Sequence, residues 1–138
     1  MVTRQEQEAT DRFSDRYREE RGDIVREIEQ TVIGADWGAN GYTTIAQANE
    51  LAALLGLGRG SMLLDVGAGR GWPGLYLAAM AGCSVVLTDL PMDGLTVART
   101  RSRHDALEDR AWCVNASARA LPFRAATFDA VVHTDVLC

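Results

Sequence analysis

The strongest chemical signal in the chain is Leu64-Asp65-Val66-Gly67-Ala68-Gly69-Arg70-Gly71-Trp72-Pro73-Gly74. A short apolar run feeds a glycine-rich turn, and Pro73 sits where a helix would begin. Glycine permits the sharp turn and lets a ligand lie against the backbone. The helix start offers unpaired N–H groups and the positive end of a dipole. A carboxylate- or phosphate-bearing cofactor is expected there, and two classes compete. Gly69-x-Gly71-x-x-Gly74 matches the dinucleotide fingerprint letter for letter. It is out of register, because the glycine that follows the apolar run is Gly67, and from Gly67 the third position falls on Trp72. Asp65 would oppose a pyrophosphate but suits a cation. S-adenosylmethionine carries a sulfonium and an ammonium, so Asp-x-Gly-x-Gly-x-Gly favours it over NAD. A nicotinamide-dependent oxidoreductase is the alternative.

Asp89 closes a second apolar run, Ser84–Thr88, 24 residues after Asp65. A carboxylate there is placed to accept hydrogen bonds from ribose hydroxyls. Leu90 follows and suits packing against an adenine face. A helix cap before Pro91 is the other role open to Asp89. His133 and Asp135 lie beyond a later apolar run, where open α/β sheets bind their ligands. His133 suits a general base and Asp135 a group that orients it or the substrate. A structural role for His133 is equally consistent with strand alternation. Two histidines and three cysteines lie scattered without metal-ligand spacing, so no metal site is expected.

These residues need elements to position them. Met62–Val66, Ser84–Thr88, Trp112–Ala116 and Phe128–His133 read as strands. Helices follow over Pro73–Met80, closed by Gly82, and over Gly94–Leu107. The alternation implies parallel βαβ units with right-handed crossovers. Upstream, Thr44-Ile45-Ala46-Gln47 forms a capping box for a helix through Leu55, ended by Gly56 and Gly58. Residues 33–43, with three glycines, form a loop that carries Trp37 and Tyr42. The run Arg4–Gln30 fits an amphipathic helix broken near Gly22, its charges read as a solvated face.

With these motifs in order, the chain resembles the class I S-adenosylmethionine-dependent methyltransferases, in the small-molecule or type 11 group. The resemblance covers Trp37 to Cys138. Its parts are the glycine motif 64–71, Val85-Val86-Leu87-Thr88-Asp89, and Leu121-Pro122-Phe123 followed by Phe128–Val132. It implies a Rossmann-like parallel sheet in strand order 3-2-1-4, truncated after strand 4, with an N-terminal helical cap. It implies that Asp65, Gly67, Ala68 and Gly69 hold the methionine part of the cofactor, and that Asp89 and Leu90 hold the nucleoside. Where the family commonly has an acidic residue facing the adenine amine, this chain has Ser117. A neutral hydroxyl is a weaker acceptor than a carboxylate, so the expectation is either weaker adenine recognition or reliance on the Ala118 backbone N–H. The loop 37–43 resembles the lid of small-molecule methyltransferases, with Tyr42 as the residue closing over the cofactor or simply packing on the first helix.

The implied reaction is methyl transfer to a small-molecule acceptor. Composition sets further bounds. The 138 residues carry a net charge of -5, with fourteen arginines and no lysine, a poor prior for a nucleic-acid binder. The Asp/Asn-Pro-Pro-Tyr/Phe motif of amino-methylating enzymes is absent after strand 4, which also argues against a DNA substrate. No apolar stretch reaches the roughly 20 residues of a membrane span. Cys83, Cys113 and Cys138 read as reduced thiols of a cytoplasmic protein. At about 30 residues per βα unit, residues 61–138 hold two to three units, roughly half a methyltransferase sheet. The expected division is a cap and lid over 1–60 and an incomplete cofactor-binding half-domain over 61–138. Strand 4 then forms an apolar edge suited to self-association, and a non-catalytic fragment that needs a partner chain is a further reading.

Overall fold

The computed structural model describes residues 1–39 and 41–136, so Leu137 and Cys138, which end the chain, lie outside the described residues. Nine elements follow in order: α1 (Arg4–Arg18), α2 (Asp23–Val32), α3 (Ile45–Leu54), β1 (Met62–Val66), α4 (Gly74–Ala81), β2 (Ser84–Asp89), α5 (Met92–His104), β3 (Ala111–Asn115) and β4 (Ala130–Val132). The four strands form one parallel sheet in the order β3-β2-β1-β4. No described helix is long and apolar enough to cross a membrane.

Local chemistry explains the boundaries. Thr3 and Glu6 form a reciprocal capping box at the start of α1, and Thr44 with Gln47 forms another at α3. Gly82 ends α4 in the left-handed region, at φ 72°. β4 is shorter than the sequence pattern suggests. Phe128 stands edge-on to Phe123, and the Asp129 carboxylate accepts from the Met62 N–H at 2.8 Å. A side chain thus closes the end of the pairing that a longer strand would have continued.

The register Leu63↔Val85↔Ala111, with Ala130 beside Leu63, defines one face of the sheet. Leu63, Val85 and Leu87 are fully buried there with Leu75, Leu77 and Ala78 of α4 and with Leu95 and Ala98 of α5. Both crossover helices share this face, as right-handed crossovers running the same way across a sheet require. The opposite face carries the row Trp112–Val86–Leu64–Val131. Trp112 and Val131 at its two ends are 44% and 52% exposed.

The N-terminal segment is more than a solvated charge run. Glu29 is buried, pairs with Arg21, and accepts the backbone N–H groups of Trp37 (2.7 Å) and Ala39 (3.1 Å). That carboxylate folds the loop after α2 back onto the body. Trp37 then packs at 5.5 Å from Trp72, edge-on to Tyr76, with the Arg101 guanidinium 4.2 Å above its ring.

Candidate functional site

A pocket of about 560 Å³ opens along the C-terminal ends of all four strands, within the range of small-ligand sites. Val66 and the glycine turn come from β1, Asp89 and Leu90 from β2, Ala116 and Ala118 from beyond β3, and Thr134–Val136 from beyond β4. Parallel strands all point their ends the same way, so each turn after a strand reaches the same crevice.

The glycine turn is tied to β2 by Gly67 and Ala68 N–H groups that donate to the Thr88 carbonyl at 2.8 and 3.0 Å. Gly67 and Gly69 lie at φ 72° and 52°, where a side chain is strained. A Cβ on Gly67 would stand 2.6 Å from Val136, and one on Gly69 would stand 2.6 Å from the Tyr17 hydroxyl oxygen. Glycine is therefore required on two counts at each position.

Asp89 borders the pocket. Its Oδ2 accepts from the Gly69 N–H and its Oδ1 from the Leu90 N–H, both at 2.8 Å. Burial pushes its carboxyl above the ordinary range, opposed by those two N–H bonds. Each oxygen keeps a second acceptor direction.

Asp65 has a different place from the one its motif implies. It is 1% exposed and lies beneath the turn, outside the pocket lining, where its Oδ2 accepts from the Gly74 N–H at 2.9 Å. Burial pushes its carboxyl up to about 8, with the nearby Asp89 adding to the rise and the Gly74 N–H opposing it. Its place beneath the turn keeps it out of direct contact with a ligand in the pocket. It braces the turn.

Four further residues sit differently from expectation. Tyr42 is 80% exposed and absent from the pocket lining. Its backbone N–H donates to Asp135 at 3.2 Å, which turns the loop outward at that side chain. His133 is exposed and also absent from the lining, because the strand alternation Ala130-in, Val131-out, Val132-in carries it outward. Asp135 does border the pocket, but its Oδ2 accepts from the Tyr42 N–H and the Thr43 hydroxyl (3.0 Å), so it holds the lid loop. Ser117 is not in the lining either. Its hydroxyl donates to the Glu6 carboxylate and accepts from the Arg119 N–H at 3.1 Å.

The sequence reading missed α1 as a wall of the pocket. Glu6, Ala9, Thr10, Phe13, Arg16 and Tyr17 all border it. Their spacing of three and four residues is one helical face, and that signal was present in the Phe13/Tyr17 pair. Arg70 secures the helix. Its guanidinium donates to the carbonyls of Arg16 (3.0 Å), Tyr17 (3.1 Å) and Gly38 (3.3 Å) and stacks over the Tyr17 ring. Arg18 adds a two-pronged bond to Asp93 at 3.0 and 3.1 Å.

Comparison with known proteins places this geometry in context. A family profile described as "Methyltransferase domain" matches residues 63–138. An uncharacterised protein of Mycobacterium tuberculosis is 41% identical over 106 residues, covering 71% of this chain and 37% of that protein. Erythromycin 3''-O-methyltransferase of Saccharopolyspora erythraea is 35% identical over 89 residues, covering 64% and 29%. Among solved structures, a geranyl diphosphate methyltransferase in complex with GPP and sinefungin superposes with a TM-score of 0.60. It is 28% identical, with 64% of this chain and 33% of that one covered. The chain thus spans about a third of the length of the curated relatives it matches.

Proposed function

This chain belongs to the methyltransferase-domain family, and from that premise we propose that it binds S-adenosyl-L-methionine and forms the cofactor-binding part of an enzyme that methylates a small molecule. The observation that carries the reading is the pocket itself, a glycine turn with Asp89 beside it at the C-terminal strand ends. The residues fit such a ligand. The turn admits no Cβ at Gly67 or Gly69, and Asp89 retains acceptor directions for two ribose hydroxyls. Leu90 and Ala118 offer apolar walls for the base, with Ala68 and the turn on the methionine side.

When bound, the cofactor would supply an electrophilic methyl group on a sulfonium, with the neutral thioether of S-adenosylhomocysteine as its leaving group. What the protein supplies is mainly position and dryness. Tyr17 and Phe13 of α1 close one side of the pocket. Asp135 pins the 41–43 loop across another side and so acts as a positioning residue. His133, exposed and outside the lining, is not assigned the role of base. The relatives named for O-methylation of erythromycin and for geranyl diphosphate support a small organic acceptor. In this reading residues 1–60 are a cap and 61–138 the cofactor-binding half-domain, acting in the cytoplasm.

Titration calorimetry tests it. S-adenosylhomocysteine and sinefungin are expected to bind in the micromolar range, with no heat from NAD. Binding of NAD without S-adenosylhomocysteine would overturn the reading.

A further inference from the structure

The pocket has an acidic group that its strands do not supply. Three carboxylates border it among the described residues: Asp89 at the glycine turn, Asp135 on the loop side, and Glu6 from α1. The bond to Ser117 holds Glu6 beside Ala116 and Ala118, which also line the pocket. Ala118 is one of the walls assigned above to the base. The Ser117 hydroxyl gives its only hydrogen to Glu6 Oε1 and takes the Arg119 N–H on its oxygen. Glu6 Oε2 accepts the Thr3 N–H at 2.8 Å. Two fixed donors from different parts of the chain therefore aim one carboxylate. The Ser117 hydroxyl, with the Thr3 contacts behind it, holds that carboxyl down to about 2, so it is ionised throughout the working pH range.

Resting on the cofactor reading above, we propose that Glu6 is the residue that recognises the adenine amine, and that Ser117 positions it. Each carboxylate oxygen has a further acceptor direction after the bonds to Ser117 and Thr3. An exocyclic amine at the base end is a donor that matches it. A 6-oxo base presents an acceptor at the same point and is repelled. The first helix thus does two things at once: it covers the pocket and it reads the base.

Affinities of the full chain for S-adenosylhomocysteine and for S-inosylhomocysteine, in which the 6-amine becomes a 6-oxo group and N1 gains a hydrogen, test the assignment. The intact chain is expected to prefer the adenine form at least about tenfold, as a charge-assisted bond allows. Glu6→Gln removes the charge and leaves one acceptor oxygen, enough for the Ser117 hydroxyl or the Thr3 N–H but not both, and the preference should shrink at least about fivefold. Retained preference in a variant whose α1 remains protected in hydrogen exchange overturns the proposal. If Glu6→Gln unseats α1, Ser117→Ala is decisive, because it leaves the charge and the Arg70 clasp in place. The preference should then fall severalfold, and an unchanged ratio overturns the proposal. An intact chain that binds both analogues equally overturns it while sparing the cofactor reading. An intact chain that binds neither removes both.

Discussion

Asp65 shows how burial reassigns a residue that a motif makes conspicuous. Its carboxyl titrates near 8 in the folded chain against 3.8 for a free carboxyl. The folded chain therefore holds a proton there that the unfolded chain releases above about pH 4. Stability from this group falls as pH rises from about 4 to about 8, and levels off above. The slope reaches roughly 1.4 kcal/mol per pH unit. Asp65→Asn keeps an acceptor for the Gly74 N–H and removes the titration. Its melting temperature should gain on the parent steadily between about pH 5 and 8, as calorimetric melts would show. A gap that stays constant with pH excludes the account. At this scale the sequence was partly legible. The Asp-x-Gly-x-Gly spacing located the site because glycine geometry is local. It did not tell that Asp65 lies under the turn, outside the pocket lining, since that depends on which face of the sheet α4 covers. Nor did it show Glu6 beside Ser117, a contact that spans 111 positions.

Among the elements, α1 matters most to the site. The strands and the helices after them were legible because apolar runs, caps and glycines mark them locally. The helix itself was also visible in Arg4–Arg18, yet its dense charges read as a solvated face. Charge patterning describes the side turned to water and says nothing of what the other side covers. Here the other side is Ala9, Phe13 and Tyr17, a stripe four residues apart, laid on the pocket. The helix is fixed by Arg70, which is buried and bonds to three backbone carbonyls. Burial, with Arg21 nearby, lowers the proton affinity of its guanidinium, so those carbonyls are the compensation for desolvating it. Arg70→Met should release α1 while leaving the sheet intact. Hydrogen exchange over residues 4–18 should quicken markedly, exchange in β1 and β2 should stay as it was, and affinity for S-adenosylhomocysteine should drop about tenfold. Unchanged exchange in α1 would contradict this role for Arg70.

On the scale of the whole molecule, the helices among the described residues pack on one face of the sheet. α4 and α5 bury Leu63, Val85 and Leu87, whereas Trp112 and Val131 stay half exposed on the other face. β4 is also an edge of the described sheet. Apolar rows beside an unpaired edge favour association. Sedimentation velocity of the parent should show concentration-dependent self-association, and Val131→Arg should suppress it with little change in melting temperature. A parent that sediments as a single species at every concentration removes this expectation. The strand order was legible from the βαβ alternation, but the exposed row was not, since a central strand reads as apolar whichever face is covered. The same architecture distributes the three tryptophans in a useful way. Trp72 borders the pocket with its indole N–H fixed on the Thr43 carbonyl at 2.9 Å, and Trp37 stands 5.5 Å from it. Trp112 sits on the far face at the end of its row, 44% exposed. The protein therefore carries a built-in optical reporter. Emission from Trp72 and its neighbour Trp37 should respond to a ligand in the pocket that Trp72 borders, while the exposed Trp112 indole, open to iodide, should report on the opposite side.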